Sequence, residues 1–127
     1  MSYSYTKKVN MNFDAATRRI KEELQKEDFV VLTEIDVKAT LKKKLDINYE
    51  DYIILGACNP AFAHKALLTE KEIGLMMPCN VIVYRDNGKT FVSTILPTAA
   101  MGMIDNEELP AVAADVEKRL KHVIDSI

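Results

Sequence analysis

The chain has 127 residues, of which 48% are hydrophobic and 28% charged. That length and balance suit a single domain, residues 1–127, able to bury one core. A formal net charge of −2 gives no concentrated positive field for a phosphate backbone, so nucleic acid is not an expected partner.

The longest basic run, Lys42-Lys43-Lys44, lies between Glu34 and Asp36 on one side and Asp46, Glu50 and Asp51 on the other, as on a solvated helix face. No stretch approaches the ~20 apolar residues needed to span a bilayer, so no membrane association is expected. The segment Met1-Ser2-Tyr3-Ser4-Tyr5 lacks the basic-then-apolar order of an export signal, and a cytoplasmic location is expected. Two cysteines in a domain with its own core do not make a disulfide scaffold, and a reducing compartment keeps them as thiols.

Residues 3 to 9 alternate Tyr3, Tyr5 and Val9 with polar residues, the pattern of a half-buried strand. Asn12 then opens a helix. Its stripe is Phe13, Ala16, Ile20 and Leu24, recurring every three or four residues, with charged residues on the other faces. Phe29 to Ile35 is rich in β-branched and aromatic residues and predicts a second strand. Asp36 is placed to cap a second helix reaching Leu45, its side chain accepting from first-turn amides, with Val37, Leu41 and Leu45 as the stripe.

Tyr52 to Ala57 is a continuous apolar run, and Asn59-Pro60 follows as a cap with proline at the first helical position. The third helix is expected to run from Pro60 to about Ile73, burying Phe62, Ala63, Ala66, Leu67 and Ile73, with Gly74 as a left-handed carboxy-terminal cap. Asn80 to Tyr84 and Thr90 to Leu96 flank Asp86-Asn87-Gly88-Lys89, a strong hairpin signal because Asn-Gly tolerates positive φ at both positions. Pro97 to Asn106 reads as a loop, and Leu109, Val112, Val116, Leu120 and Ile124 mark a long closing helix. A hairpin among helices points to an α+β fold: a two-layer sandwich with a mainly antiparallel sheet and helices packed on one face.

Both cysteines sit in Cys-Asn dipeptides beside a proline, Cys58-Asn59-Pro60 and Pro78-Cys79-Asn80, at expected strand and helix boundaries. A thiol at the start of a helix is favoured as thiolate by the local amides and the dipole, which would lower the Cys58 pKa and make it a nucleophile or metal ligand. The alternative is a small apolar filler at a strand end. His64 and Glu70 are the nearby groups able to act as proton acceptors for a thiol. Their six-residue separation turns a helix by about 600°, so they do not share a face as a ligand pair.

A structural zinc site needs four close ligands in spacings that this chain lacks, and no protein metal site is expected, although a metal bridging two subunits stays conceivable. No phosphate-binding glycine loop, serine-nucleophile elbow or metalloprotease motif is present. Met76, Met77, Met101 and Met103 fall in the segments expected to lie near the cysteines. They suit either the wall of an apolar pocket or ordinary core and dimer packing.

Gly56-Ala57-Cys58-Asn59-Pro60, Ala63, Ala66-Leu67, Glu70, Ile73-Gly74-Leu75 and Pro78-Cys79-Asn80-Val81 together resemble the central signature of the domain of unknown function 302 family. Ile35 to Leu41 and the helix around Arg19-Ile20-Lys21 are similar to it too, so the resemblance covers most of the chain. Asp28 departs from the glycine that the resemblance leads one to expect before the second strand. The resemblance implies a small two-layer α+β fold and homodimers, brings no activity, and groups Cys58, Asn59, Pro60, Glu70, Pro78, Cys79 and Asn80 in one motif.

Three functions follow. The first is a homodimeric ligand- or cofactor-binding module whose pocket is edged by Cys58, Asn59, Cys79 and Asn80, with His64 and Glu70 nearby, for a small molecule, a metal or a porphyrin such as haem. The second is a thiol-dependent enzyme or redox sensor in which Cys58 reacts, Cys79 resolves, and Glu70 or His64 accepts the proton. The third is a structural dimer with inert, packed cysteines.

Overall fold

The computed structural model describes residues 2–127; Met1, part of the amino-terminal segment read above, lies outside the described residues. Five strands, β1 (Ser4–Val9), β2 (Val30–Asp36), β3 (Tyr52–Cys58), β4 (Cys79–Asp86) and β5 (Lys89–Ile95), form one open sheet in the order β1-β5-β4-β3-β2. Every pairing is antiparallel. The helices are α1 (Phe13–Lys26), α2 (Val37–Leu45), α3 (Pro60–Thr69), α4 (Pro97–Ala100) and α5 (Leu109–Asp125), with a 3-10 turn at Lys71–Met76.

Local chemistry sets most of these boundaries. The Asn12 side chain accepts from the Ala15 amide at 2.8 Å and that of Asp36 from the Ala39 amide at 2.9 Å, so both expected caps form. The β4–β5 turn places Asn87 and Gly88 at φ of 52° and 76°, as a two-residue hairpin with the native strand twist requires.

One face of the sheet carries the core. Ala16, Ile20 and Leu24 of α1 and Val116, Leu120, Val123 and Ile124 of α5 close over Leu55, Ala57, Val81, Val83 and Val92. Strand side chains alternate between faces, so the intervening residues Tyr52, Ile54, Ile82, Tyr84, Phe91 and Ile95 turn to the opposite face, outside both core clusters. The expected two-layer α+β arrangement is therefore the architecture found.

Five local expectations are corrected. The third helix ends at Thr69, not Ile73, and Gly74 lies inside the 3-10 turn instead of acting as a left-handed cap. The cause is tertiary: Asn106 donates its side-chain amide to the Thr69 carbonyl at 2.8 Å and to Glu70 Oε1 at 3.2 Å, and Glu70 adopts an extended conformation. Leu67, expected inside, is 41% exposed. The α2 stripe buries none of its residues: Val37 and Leu41 are only partly covered and Leu45 is exposed. Within the expected Pro97 to Asn106 loop, four residues close the short helix α4.

Candidate functional site

Ala57 and Cys79 are directly paired across β3 and β4. Cys58, the last residue of β3, and Cys79, the first of β4, therefore meet at one end of the sheet. Alternation turns Cys79 toward the helix-covered face, where it packs against the core. Cys58 pairs with the half-exposed Val30 and sits at the rim where the chain turns into α3.

Cys58, Asn59 and Cys79, but not Asn80, wall one small apolar cavity of about 40 Å³, closed by Phe29 just before β2, Phe62 and Ala66 of α3, and Val112 and Val116 of α5. A more open groove of about 290 Å³ adjoins it and reaches solvent past Asn80 and Met76. Met77, Pro78, Cys79, Pro97 and Met101 border both spaces and form the partition between them. No charged side chain lines either one. Ligand pockets typically enclose about 300–1,000 Å³, so the inner cavity does not admit a porphyrin.

The electrostatics differ from the expectation for a helix-start thiolate. Burial raises the Cys58 pKa, and burial, with a smaller contribution from the charge of Cys58, pushes Cys79 up to about 11. Desolvation penalises the thiolate, and Pro60 at the first helical position removes one of the amide donors that would have offset it. Both thiols are protonated at neutral pH, which leaves them poor nucleophiles.

The remaining expected site residues separate into three groups. Asn59 is buried, at 6% exposure, but does not cap α3. Its Nδ2 donates instead to the Glu27 carbonyl at 3.2 Å, tying the α3 start to the α1–β2 connection. Asn80 is exposed and borders the groove. His64 is exposed on α3 and borders neither space, and Glu70 is occupied by Asn106 at the α3 end. Among the described residues no hydrogen bond joins His64 or Glu70 to either thiol, and no group of three or more His, Cys, Asp or Glu side chains is placed to hold a metal. Of the methionines, Met76, Met77 and Met101 border the groove, whereas Met103 is exposed.

Sequence reasoning missed Phe29, Pro97, Val112 and Val116 as walls of the cavity. Phe62 carried a signal in its helical spacing, but the two valines belong to the α5 stripe and nothing local distinguishes a cavity wall from ordinary core. Also missed was the reason for Gly56. A Cβ there would overlap the Thr33 hydroxyl and lie 2.8 Å from Pro78 Cγ, so only glycine lets β2, β3 and the Cys79 approach pack together.

A family profile described as "Domain of unknown function DUF302" matches residues 5–127. The chain belongs to this family. It is also similar to an uncharacterized conserved DUF302 protein from Bacillus stearothermophilus, whose crystal structure aligns with a TM-score of 0.93 at 32% identity over 98% of each chain. No curated protein matches the chain. Asp28, where the family resemblance leads one to expect glycine, has φ 65°: the backbone there is in the left-handed region that glycine favours, and the short polar side chain of aspartate is tolerated. No helix among the described residues is long and apolar enough to cross a membrane.

Proposed function

We propose that the protein is a homodimeric binding module whose small, weakly polar ligand enters the groove beside Asn80 and reaches the cavity between the two Cys-Asn elements. The observation that carries this reading is the shared wall: Cys58-Asn59 and Cys79 line one apolar cavity, and Cys79 also borders the adjoining groove. The raised pKa of both thiols argues for binding over nucleophilic chemistry.

The dimer half of the reading is supported by the sheet face turned away from α1 and α5. Tyr52, Tyr84 and Phe91 are directly opposed across three strands and stack with ring centroids 5.6 Å and 5.2 Å apart, and Tyr49 continues the row. Ile54, Ile82 and Ile95 extend this apolar surface by alternation, and its charged residues, Lys8, Asp86 and Lys89, all fall at the hairpin end. Five strands of about seven residues present roughly 500 Å². The half-exposed Tyr49, outside those strands, adds to this area, which stays below the about 800 Å² per partner of a standard-size interface. A second copy meets no like charge across the centre of such a face, and two sheets pack face to face in this way in sandwiches.

Sedimentation and native mass spectrometry test the dimer, with Ile82→Glu and Tyr84→Glu expected to yield folded monomers. A parent chain that stays monomeric at tens of micromolar overturns it. Xenon under pressure, an apolar probe of about the cavity's size, tests it: it should raise the Tm of the parent and not of Ala63→Leu, whose added side chain occupies the space. No shift in the parent, with no species co-purifying, would favour packed and inert cysteines.

A further inference from the structure

Three of the five residues of the partition between groove and cavity carry sulfur. Met77, Cys79 and Met101 each border both spaces, Met76 borders the groove, and the remaining lining offers no carboxylate, imidazole or ammonium group. Thiols and thioethers are soft donors that select monovalent copper over the harder divalent ions, which prefer nitrogen and oxygen. We propose that this partition is a binding site for the soft cation Cu(I), held by the Cys79 sulfur and the Met77 and Met101 thioethers. The proposal rests on the reading of the groove as the entry to a binding site and places a metal ion, beside the weakly polar ligand, at the partition.

Charge favours the same ion. When Cu(I) binds, the Cys79 S–H bond breaks, its proton leaves to solvent, an S–Cu bond forms, and the metal stays monovalent. One thiolate and one Cu(I) sum to zero, whereas a divalent ion on the same donors leaves a net positive charge in apolar surroundings, at a desolvation cost. The thioethers add donors without adding charge. Cys79 is the better thiol because it faces inward at the partition, while Cys58 stands at the cavity rim. Proton release makes the affinity rise with pH, and Cys58 is the one other titratable side chain bordering the two spaces.

The competing account is that Met77 and Met101 merely pack against Ala66, Ile73 and Leu109. Anaerobic titration of the purified protein with Cu(I) against a chromophoric chelator separates the two. One Cu(I) per chain is expected. Cys79→Ser should weaken binding by at least about a hundredfold and the double variant Met77→Leu/Met101→Leu by about tenfold or more, while Cys58→Ser stays within about threefold of the parent. Leucine keeps the packing volume and removes the sulfur. In the unsubstituted protein the ε-methyl resonances of Met77 and Met101 should shift on adding Cu(I) or Ag(I), a readout that needs no variant to fold. No binding, unmoved methyl resonances, or equal losses in Cys58→Ser and Cys79→Ser, the mark of chelation by two thiols alone, overturns the proposal. The xenon shift of the metal-free protein keeps the two readings distinguishable: if it persists without Cu(I) binding, only the metal assignment falls; if both fail, the groove reading falls too.

Discussion

The side-chain amide of Asn59 reaches back 32 positions to donate to the carbonyl of Glu27 at 3.2 Å. Arg119 approaches the same carbonyl at 3.5 Å, so one backbone oxygen gathers the α3 start, the α1–β2 connection and α5 beside the cavity. Replacing Asn59 by alanine leaves that carbonyl with only the longer contact, and a lost buried hydrogen bond costs about 1–2 kcal/mol. The midpoint of urea unfolding should fall accordingly with an unchanged m-value. An unchanged midpoint would mean that water replaces the amide at no cost.

Gly56 permits the close approach of Thr33 and Pro78. Gly56→Ala should destabilise by about 1–3 kcal/mol through overpacking, and combining it with Thr33→Ala should restore part of the loss, because the two sites share the contact. Strict additivity in chemical denaturation would show that Thr33 is not the obstacle.

Asp28 holds a left-handed conformation at φ 65°. Asp28→Gly should be neutral to stabilising, by up to about 1 kcal/mol, and Asp28→Val destabilising by more than that, since a β-branched residue resists this region. The exposed pair with Arg119, at 3.7 Å, offsets little of the gain because surface ion pairs contribute little. Thermal unfolding of the two variants checks the order.

The Cys79 thiol keeps its proton up to about 11 in the folded chain, against an ordinary value of 9.0. Between those values the folded state binds more protons than the unfolded one. Stability from this group is therefore complete below about pH 9 and is lost as pH rises through 11. Cys79→Ala should show a shallower decline in unfolding free energy over that interval than the parent. With a thiol reagent near pH 8, Cys58 at the rim should label before Cys79; rapid labelling of Cys79 in the folded protein would contradict its burial.

Much of the candidate site was legible from residues alone. The two Cys-Asn dipeptides, each beside a proline, marked strand and helix junctions, and the Ala57 to Cys79 pairing brings both to one sheet end. What was not legible came from partners distant in the chain. The chemistry of Asn59 looked like a helix cap until Glu27 claimed it, and Glu70 looked available until Asn106 did. His64 shares a helix with the cavity wall but not its face.

Periodicity, caps and turn residues determined this protein's elements, since those are effects of neighbours within a few positions: the alternation in the strands, the apolar stripes of α1 and α5, and the positive φ at Asn87 and Gly88. Only the tertiary structure decided which thiol is the more desolvated, where α3 stops, and that three sulfur-bearing residues share one partition. Desolvation and long-range hydrogen bonds depend on what packs from elsewhere in the chain, and no local spacing encodes that.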